Sequence, residues 1–223
     1  MLVHGAWHGS WCWESVVPLL HDKGIATAVV DNPSVTRPGS DLTADGDNVR
    51  AALDAIDGPV VLVGHSYGGA VITDAGTHPR VEHLVYLTAF ALDAGESLID
   101  NQLTGGEDMQ LAGALQFEGD VITVDPARVV EFFYHDCTPE GAASAAARLR
   151  PMSMAAMVGT AREIAWREKP STYVVCTDDR AIPVALQHAC AQRVGGFVEL
   201  ATSHSPFLSR PDELATLLAG FVV

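Results

Sequence analysis

The sequence predicts an α/β protein: a mainly parallel sheet of about six strands flanked by helices, in one domain that carries an insertion. Three observations predict it. Short apolar runs alternate with amphipathic stretches along most of the 223 residues. The run Val60-Val61-Leu62-Val63 is apolar throughout, as a strand covered on both faces must be. The βα rhythm breaks once, from about residue 93 to 169, and then resumes.

Residues 1–3 read as the end of a strand and lead into a Gly/Trp-rich loop. Residues 11–22 read as a helix, with Trp13, Val16, Val17 and Leu20 on one face and Gly24 as the stop. A strand over 25–30 and a loop with two prolines over 31–41 follow. A helix over 42–56 has apolar spacing at Val49, Leu53 and Ile56, and Asp57-Gly58-Pro59 breaks it. Next come a buried strand over 60–63, a turn at 64–66, a helix over 67–77 and a strand over 81–87. Between 93 and 169 Gly, Ala and Met recur in irregular order, with short helices at 127–134, 139–149 and 152–160. This stretch reads as a small helical cap inserted after the strand at 81–87, so that 1–92 and 170–223 form the core. A strand over 172–176, a helix over 183–193, a strand over 197–200 and a helix over 212–221 complete the chain.

Composition narrows the function. Hydrophobic residues are 48% and charged residues 18%, enough apolar mass for a sizeable core. The formal charge is -15, which opposes phosphate backbones and acidic headgroups, so nucleic acid and membranes are not expected partners. A small molecule is, and a homodimer is left open. The four cysteines contain no CxxC pair and read as reduced, mostly buried thiols. The opening Met1-Leu2-Val3-His4-Gly5 lacks the basic and apolar regions of a signal peptide, which points to a cytoplasmic protein.

Gly64-His65-Ser66-Tyr67-Gly68-Gly69 matches G-x-S-x-G, the sharp strand-to-helix turn that lifts a serine hydroxyl above a sheet. Placement is what gives this short motif weight: a buried strand precedes it and an amphipathic helix follows. A serine needs a base. Of nine histidines, His204 lies just after the last strand, at the sheet edge where Ser66 also sits. A carboxylate must then fix the imidazole tautomer. Asp178 and Asp179 both follow the strand at 172–176, and periodicity does not choose between them. An oxyanion needs two backbone N–H donors. Tyr67, after the serine, supplies one; the loop His4-Gly5-Ala6-Trp7 supplies the other, with Ala6 the candidate. No metal or other cofactor is called for: Gly5 and Gly9 argue against the helix that a His4/His8 metal pair needs, and neither H-E-x-x-H nor G-x-G-x-x-G occurs.

Four segments together carry a family resemblance: residues 3–13 (VHGAWHGSWCW), 64–69 (GHSYGG), 176–183 (CTDDRAIP) and 203–207 (SHSPF). They resemble the small α/β-hydrolases that include plant methylesterases, salicylate-binding esterases, hydroxynitrile lyases and related bacterial esterases. The resemblance implies the α/β-hydrolase fold and a serine carboxylesterase acting on small to medium hydrophobic or aromatic esters. It implies Asp179 rather than Asp178 as the acid, and the Ala6 and Tyr67 amides as the oxyanion hole. Lyases of this group carry Thr or Asn at the position of Gly5, and the S-selective ones Lys at that of Ser205; a hydroxynitrile lyase is therefore the weaker reading. A ligand-binding receptor on a disabled hydrolase scaffold is the alternative of another class. Trp7, Phe90, Met152, Met154, Met157 and Trp166 are the expected pocket lining.

Overall fold

The computed structural model describes residues 1–100 and 110–222, so 101–109 of the expected cap lie outside the described residues. The strands are β1 Leu2–Val3, β2 Val29–Val30, β3 Val60–Ser66, β4 Val81–Ala89, β5 Leu115–Glu118, β6 Val121–Val124, β7 Met152–Ser153, β8 Ser171–Cys176 and β9 Phe197–Leu200. The helices are α1 Val16–Asp22, α2 Leu42–Asp54, α3 Gly68–Ala75, α4 Val129–Phe133, α5 Pro139–Ala146, α6 Met154–Val158, α7 Val184–Val194, α8 Pro206–Ser209 and α9 Pro211–Ala219.

Six strands form one sheet in the order β2-β1-β3-β4-β8-β9, with every neighbouring pair parallel. α1 packs with α9, and α2 with α3, so helices cover both faces. β3 and β4 are consequently mostly apolar, and they are buried along their length except at Val61, Glu82 and His83. β1 lies between β2 and β3, so the chain leaves it in opposite directions on successive crossovers. The carboxyl ends of β1 and β3 are therefore the topological switch point, the place where ligands bind in open sheets of this kind.

Besides α8 (Pro206–Ser209), a helix that the sequence reading did not expect, three parts of the chain differ from that reading. The helix expected over 11–22 divides into a 3-10 turn, Ser10–Trp13, and α1. Pro18 is the cause. It has no N–H to donate to the Glu14 carbonyl, so the α-helix begins at Val16 and leaves Pro18 in the first turn, where amides have no helical partner. The strand expected over 25–30 shrinks to β2, an edge strand paired only with β1. The segment between β4 and β8 holds α4, α5 and α6 as expected, and also an antiparallel sheet β5-β6-β7. Gly119-Asp120 joins β5 to β6 as a two-residue loop with Gly119 at φ 58°.

This segment is tied to the helix layer by a buried carboxylate. Asp74 on α3 is fully buried and pairs with Arg50 of α2 at 2.8 Å and with Arg162 at 2.7 Å. Removing either arginine leaves a buried charge partly uncompensated. Cys12, Cys176 and Cys190 are buried and Cys137 half-buried, all free thiols. Among the described residues no helix is long and apolar enough to cross a membrane.

Candidate active site

β3 ends on Ser66 with φ 53°, in the left-handed region that side chains other than glycine rarely adopt. The turn is tight enough that a Cβ at Gly64 would stand 2.4 Å from the Gly68 carbonyl oxygen, and one at Gly68 would stand 2.7 Å from that of Val3. α3 begins directly afterwards with Tyr67 as its N-cap. The Tyr67 phenol donates to the buried Asp45 carboxylate at 2.6 Å, and the Ser34 amide donates to the other oxygen at 2.9 Å.

Only three non-glycine residues among those described have positive φ: Trp7 at 61°, Ser66 at 53° and Thr88 at 37°. All three lie at the carboxyl edge of the sheet, after β1, at the end of β3 and near the end of β4. Strained backbone concentrated at one edge marks a place where the surrounding structure over-determines the chain.

His204 follows β9, and its Nδ1 stands 2.7 Å from Asp179 Oδ2. A carboxylate only accepts, so Nδ1 carries a proton, and in the neutral ring Nε2 then keeps its lone pair. Asp179 accepts from four donors. Oδ1 receives the amides of Ala181 (2.6 Å) and Ile182 (3.0 Å); Oδ2 receives His204 and the Thr88 hydroxyl. Asp178, the other carboxylate of that loop, is exposed, and its backbone carbonyl accepts from His135. His65, beside Ser66, donates Nε2–H to the His204 carbonyl at 2.8 Å, and the two rings lie 4.7 Å apart. The elbow and the His204 loop thus meet.

The loop after β1 closes the site. Gly5 lies so near that a Cβ there would stand 2.8 Å from Ser66 Cβ and 2.9 Å from His65 Nδ1. Among the described residues, neither the Ala6 nor the Tyr67 amide donates to another protein group. Both are therefore free to meet an anion. His4 and His8 each turn Nδ1 to a backbone carbonyl, of Gly5 and Ala6 respectively, at 2.8 Å. Burial pushes His4 down to about 4 and His8 to about 3, and lowers His65 well below the usual imidazole value. No group of three or more His, Cys, Asp or Glu among the described residues is placed to hold a metal.

The expected pocket residues separate. Phe90 is buried beside the elbow, its amide donating to the Ser66 carbonyl at 3.1 Å. Trp7 is buried, stacks on Phe133 and donates its indole N–H to the Ile122 carbonyl at 2.9 Å. It also lines a cavity of about 340 Å³ with Val124, Val129, Leu149 and Arg150. Met152 and Met157 are buried in packing, and Met154 is half-buried. Trp166 donates to the Leu92 carbonyl at 2.9 Å, in a turn that packs against α3 and α7. A cavity of about 230 Å³ lies at the opposite edge, by Met1 and Val60. The sequence reading missed Thr88, Phe133, Tyr134 and Phe207; the last three join the ring cluster around His8.

A parallel sheet with a serine on a left-handed turn, and with an imidazole and a carboxylate delivered to the same edge from later loops, defines an α/β hydrolase. Comparison with known proteins agrees. The model of the alpha/beta hydrolase family matches residues 1–217, and the chain belongs to that family. A pyrethroid hydrolase of Sphingobium wenxiniae is 31% identical over 252 residues, spanning 99% of this chain and 86% of its own length. A putative chloroplastic methylesterase 13 of Arabidopsis thaliana is 28% identical, over 98% of this chain and 54% of its own. The crystal structure of a pyrethroid hydrolase from Sphingobium faniae superposes with a TM-score of 0.86 at 27% identity, covering 99% of this chain and 95% of that one.

Proposed function

We propose that the chain is a serine carboxylesterase acting on small to medium hydrophobic or aromatic esters. His204 Nε2 takes the proton of Ser66 Oγ as that oxygen attacks the ester carbonyl carbon. The amides of Ala6 and Tyr67 hold the tetrahedral oxyanion. The intermediate collapses to an acyl-Ser66, and His204 returns the proton to the departing alcohol. His204 then deprotonates water, which attacks the acyl carbon; the second tetrahedral intermediate collapses with the bond to Ser66 Oγ breaking, and His204 returns the proton to that oxygen as the acid is released. Asp179 keeps the imidazole in the working tautomer. Residues 93–169 act as a cap over the core of 1–92 and 170–223 and cover the apolar part of the ester.

The observation that carries this reading is the His204–Asp179 pair at 2.7 Å, which assigns the proton of the neutral ring to Nδ1 and Nε2 as the acceptor, at the edge where Ser66 stands on its strained turn. The names of the relatives, a pyrethroid hydrolase and a methylesterase, support an ester as substrate. A serine-directed fluorophosphonate is expected to add once, at Ser66, and to abolish hydrolysis of p-nitrophenyl esters. Turnover that survives complete labelling, or a label on another residue, would overturn the reading.

Gly5 bears on the same site. With 2.8 Å to Ser66 Cβ, an added methyl forces the oxyanion loop away from the elbow. Gly5→Ala is expected to lower kcat about 100-fold, since sub-ångström displacements of oxyanion donors are costly. Unchanged steady-state kinetics would show that the loop yields freely.

A further inference from the structure

The loop that carries the Ala6 amide is held from two sides. On the core side, the Gly5 carbonyl can only accept, so His4 Nδ1 bears a proton and donates to it at 2.8 Å. His4 Nε2 then accepts the Asn32 amide at 3.0 Å, and the Asn32 side chain donates back to the His4 carbonyl at 3.0 Å. In a trans peptide the carbonyl and the next N–H point in opposite directions, so fixing the Gly5 carbonyl aims the Ala6 N–H. On the other side, the Ala6 carbonyl accepts from His8 Nδ1 at 2.8 Å. His8 Nε2 therefore has a lone pair, and the Tyr134 hydroxyl, 2.8 Å away, must donate to it. Tyr134 directly follows α4, in the segment between β4 and β8.

Two further contacts come from that segment. The Trp7 indole donates to the Ile122 carbonyl at 2.9 Å, and the Arg150 amide donates to the Trp7 carbonyl at 2.8 Å. Trp7 itself is held at φ 61°. Both peptide planes flanking Ala6 are thus pinned, one by the core through His4 and one by the intervening segment through His8.

We propose that Tyr134 is a positioning residue for the oxyanion hole, acting through His8 on the peptide that follows Ala6. The proposal rests on the esterase reading above, and it adds that the segment between β4 and β8 does more than cover substrate. It sets the geometry in which the transition state is stabilised. Tyr134 and His8 are both buried and 126 residues apart, so the relay exists only when that segment is docked. Without the phenol, the buried Nε2 has no donor, and His8 gains by turning or changing tautomer, which releases the Ala6 carbonyl.

The test compares the unsubstituted enzyme with Tyr134→Phe, each normalised by fluorophosphonate titration of active sites. Tyr134→Phe is expected to lower kcat about 30-fold, with KM within about twofold, because the lost interaction acts only in the transition state. It is expected to weaken inhibition by a trifluoromethyl ketone, which forms a tetrahedral adduct, by a similar factor. A mere loss of folded protein would lower the titrated sites and leave kcat per site unchanged. A second measurement does not depend on the variant: long-range ¹H–¹⁵N spectra of the unsubstituted protein are expected to show His8 protonated at Nδ1. An Nε2–H tautomer there, or a variant with unchanged kcat and ketone affinity, would overturn the relay while the esterase reading stands. An unsubstituted enzyme that neither turns over esters nor takes the label would sink both.

Discussion

Replacing Asp179 by asparagine is expected to lower kcat about 10⁴-fold, the scale seen when a triad carboxylate becomes an amide in serine proteases. The geometry dictates why so conservative a change is severe. Asp179 Oδ1 accepts two backbone amides, from Ala181 and Ile182. An asparagine must put its carbonyl oxygen there, because an NH₂ group facing two N–H donors leaves all of them unpaired. The NH₂ then occupies the position of Oδ2 and points at His204 Nδ1. That nitrogen can meet a donor only by giving up its own hydrogen, so the proton moves to Nε2. The nitrogen that must accept the Ser66 proton is thereby blocked. Thr88, which donates to the same Oδ2, is left facing a donor as well. Asp178→Asn serves as the control, since that side chain is exposed and, among the described residues, only its backbone is hydrogen-bonded. Steady-state kinetics on a p-nitrophenyl ester decide the matter: a mild Asp179→Asn beside a severe Asp178→Asn would reassign the acid.

What was legible in the sequence follows a physical division. β3, the turn at Ser66 and the start of α3 could be read because each obeys a local rule: a continuous apolar run, glycines at a tight approach, then helical spacing. Asp179 stood level with Asp178 on local grounds and was separated from it only by family resemblance. The structure places the two differently because Asp179 accepts the amides that follow it in its own loop, where Asp178 faces solvent. Pro18 was visible in the sequence and its effect on α1 was predictable, yet the apolar stripe drew the helix too early. The β5–β6 hairpin also had a signal, Gly119-Asp120 between alternating residues, hidden by the Gly- and Ala-rich context around it.

The ring cluster was not legible, and for a different reason. His8 meets Tyr134, and His65 meets His204, across 126 and 139 residues. No periodicity encodes such a pairing, because each ring is placed by a different segment of the chain and the contact arises only when the segments pack. Thr88 is similar. A β-branched residue near the end of an apolar strand gives no hint of a left-handed backbone. It is held there by neighbours: Tyr173 on β8 donates to the Ala89 carbonyl at 2.7 Å and accepts the Ala89 amide at 2.8 Å. Function sits where local preference is overridden, so a reading from local preference finds the motif and misses its supports.

Those buried imidazoles should also make the fold acid-labile well above the range in which carboxylates titrate. His4, His8 and His65 are buried and held neutral, with His4 lowered to about 4, His8 to about 3 and His65 well below the usual value, in each case chiefly by burial. In the unfolded chain all three titrate near 6.5. Below that pH the unfolded chain binds protons that the native state refuses, so stability falls as pH falls. The native pKa values are the depressed ones; the loss therefore begins near pH 6.5 and continues to about 4 for His4 and about 3 for His8. Each such histidine costs about 1.4 kcal/mol for every pH unit below 6.5 until its native pKa is reached, so His4 and His8 together account for about 6 kcal/mol by pH 4. That is comparable with the whole stability of an ordinary domain. Asp45 works against the trend, because burial raises its pKa and protonation in the native state favours folding at low pH, but it is one group against these three and His83, which burial also lowers. Asp31 and Asp74, with lowered pKa values, add to the loss only as pH drops through the carboxylate range. Urea unfolding between pH 7.5 and 4.5 should show a falling midpoint, steepest below 6.5, with a slope approaching about 4 kcal/mol per pH unit for three protons. A stability that stays flat to pH 4.5 would mean that these rings accept protons in the folded state, and the tautomers assigned to His4, His8 and His65 could not then be the ones that hold the site together.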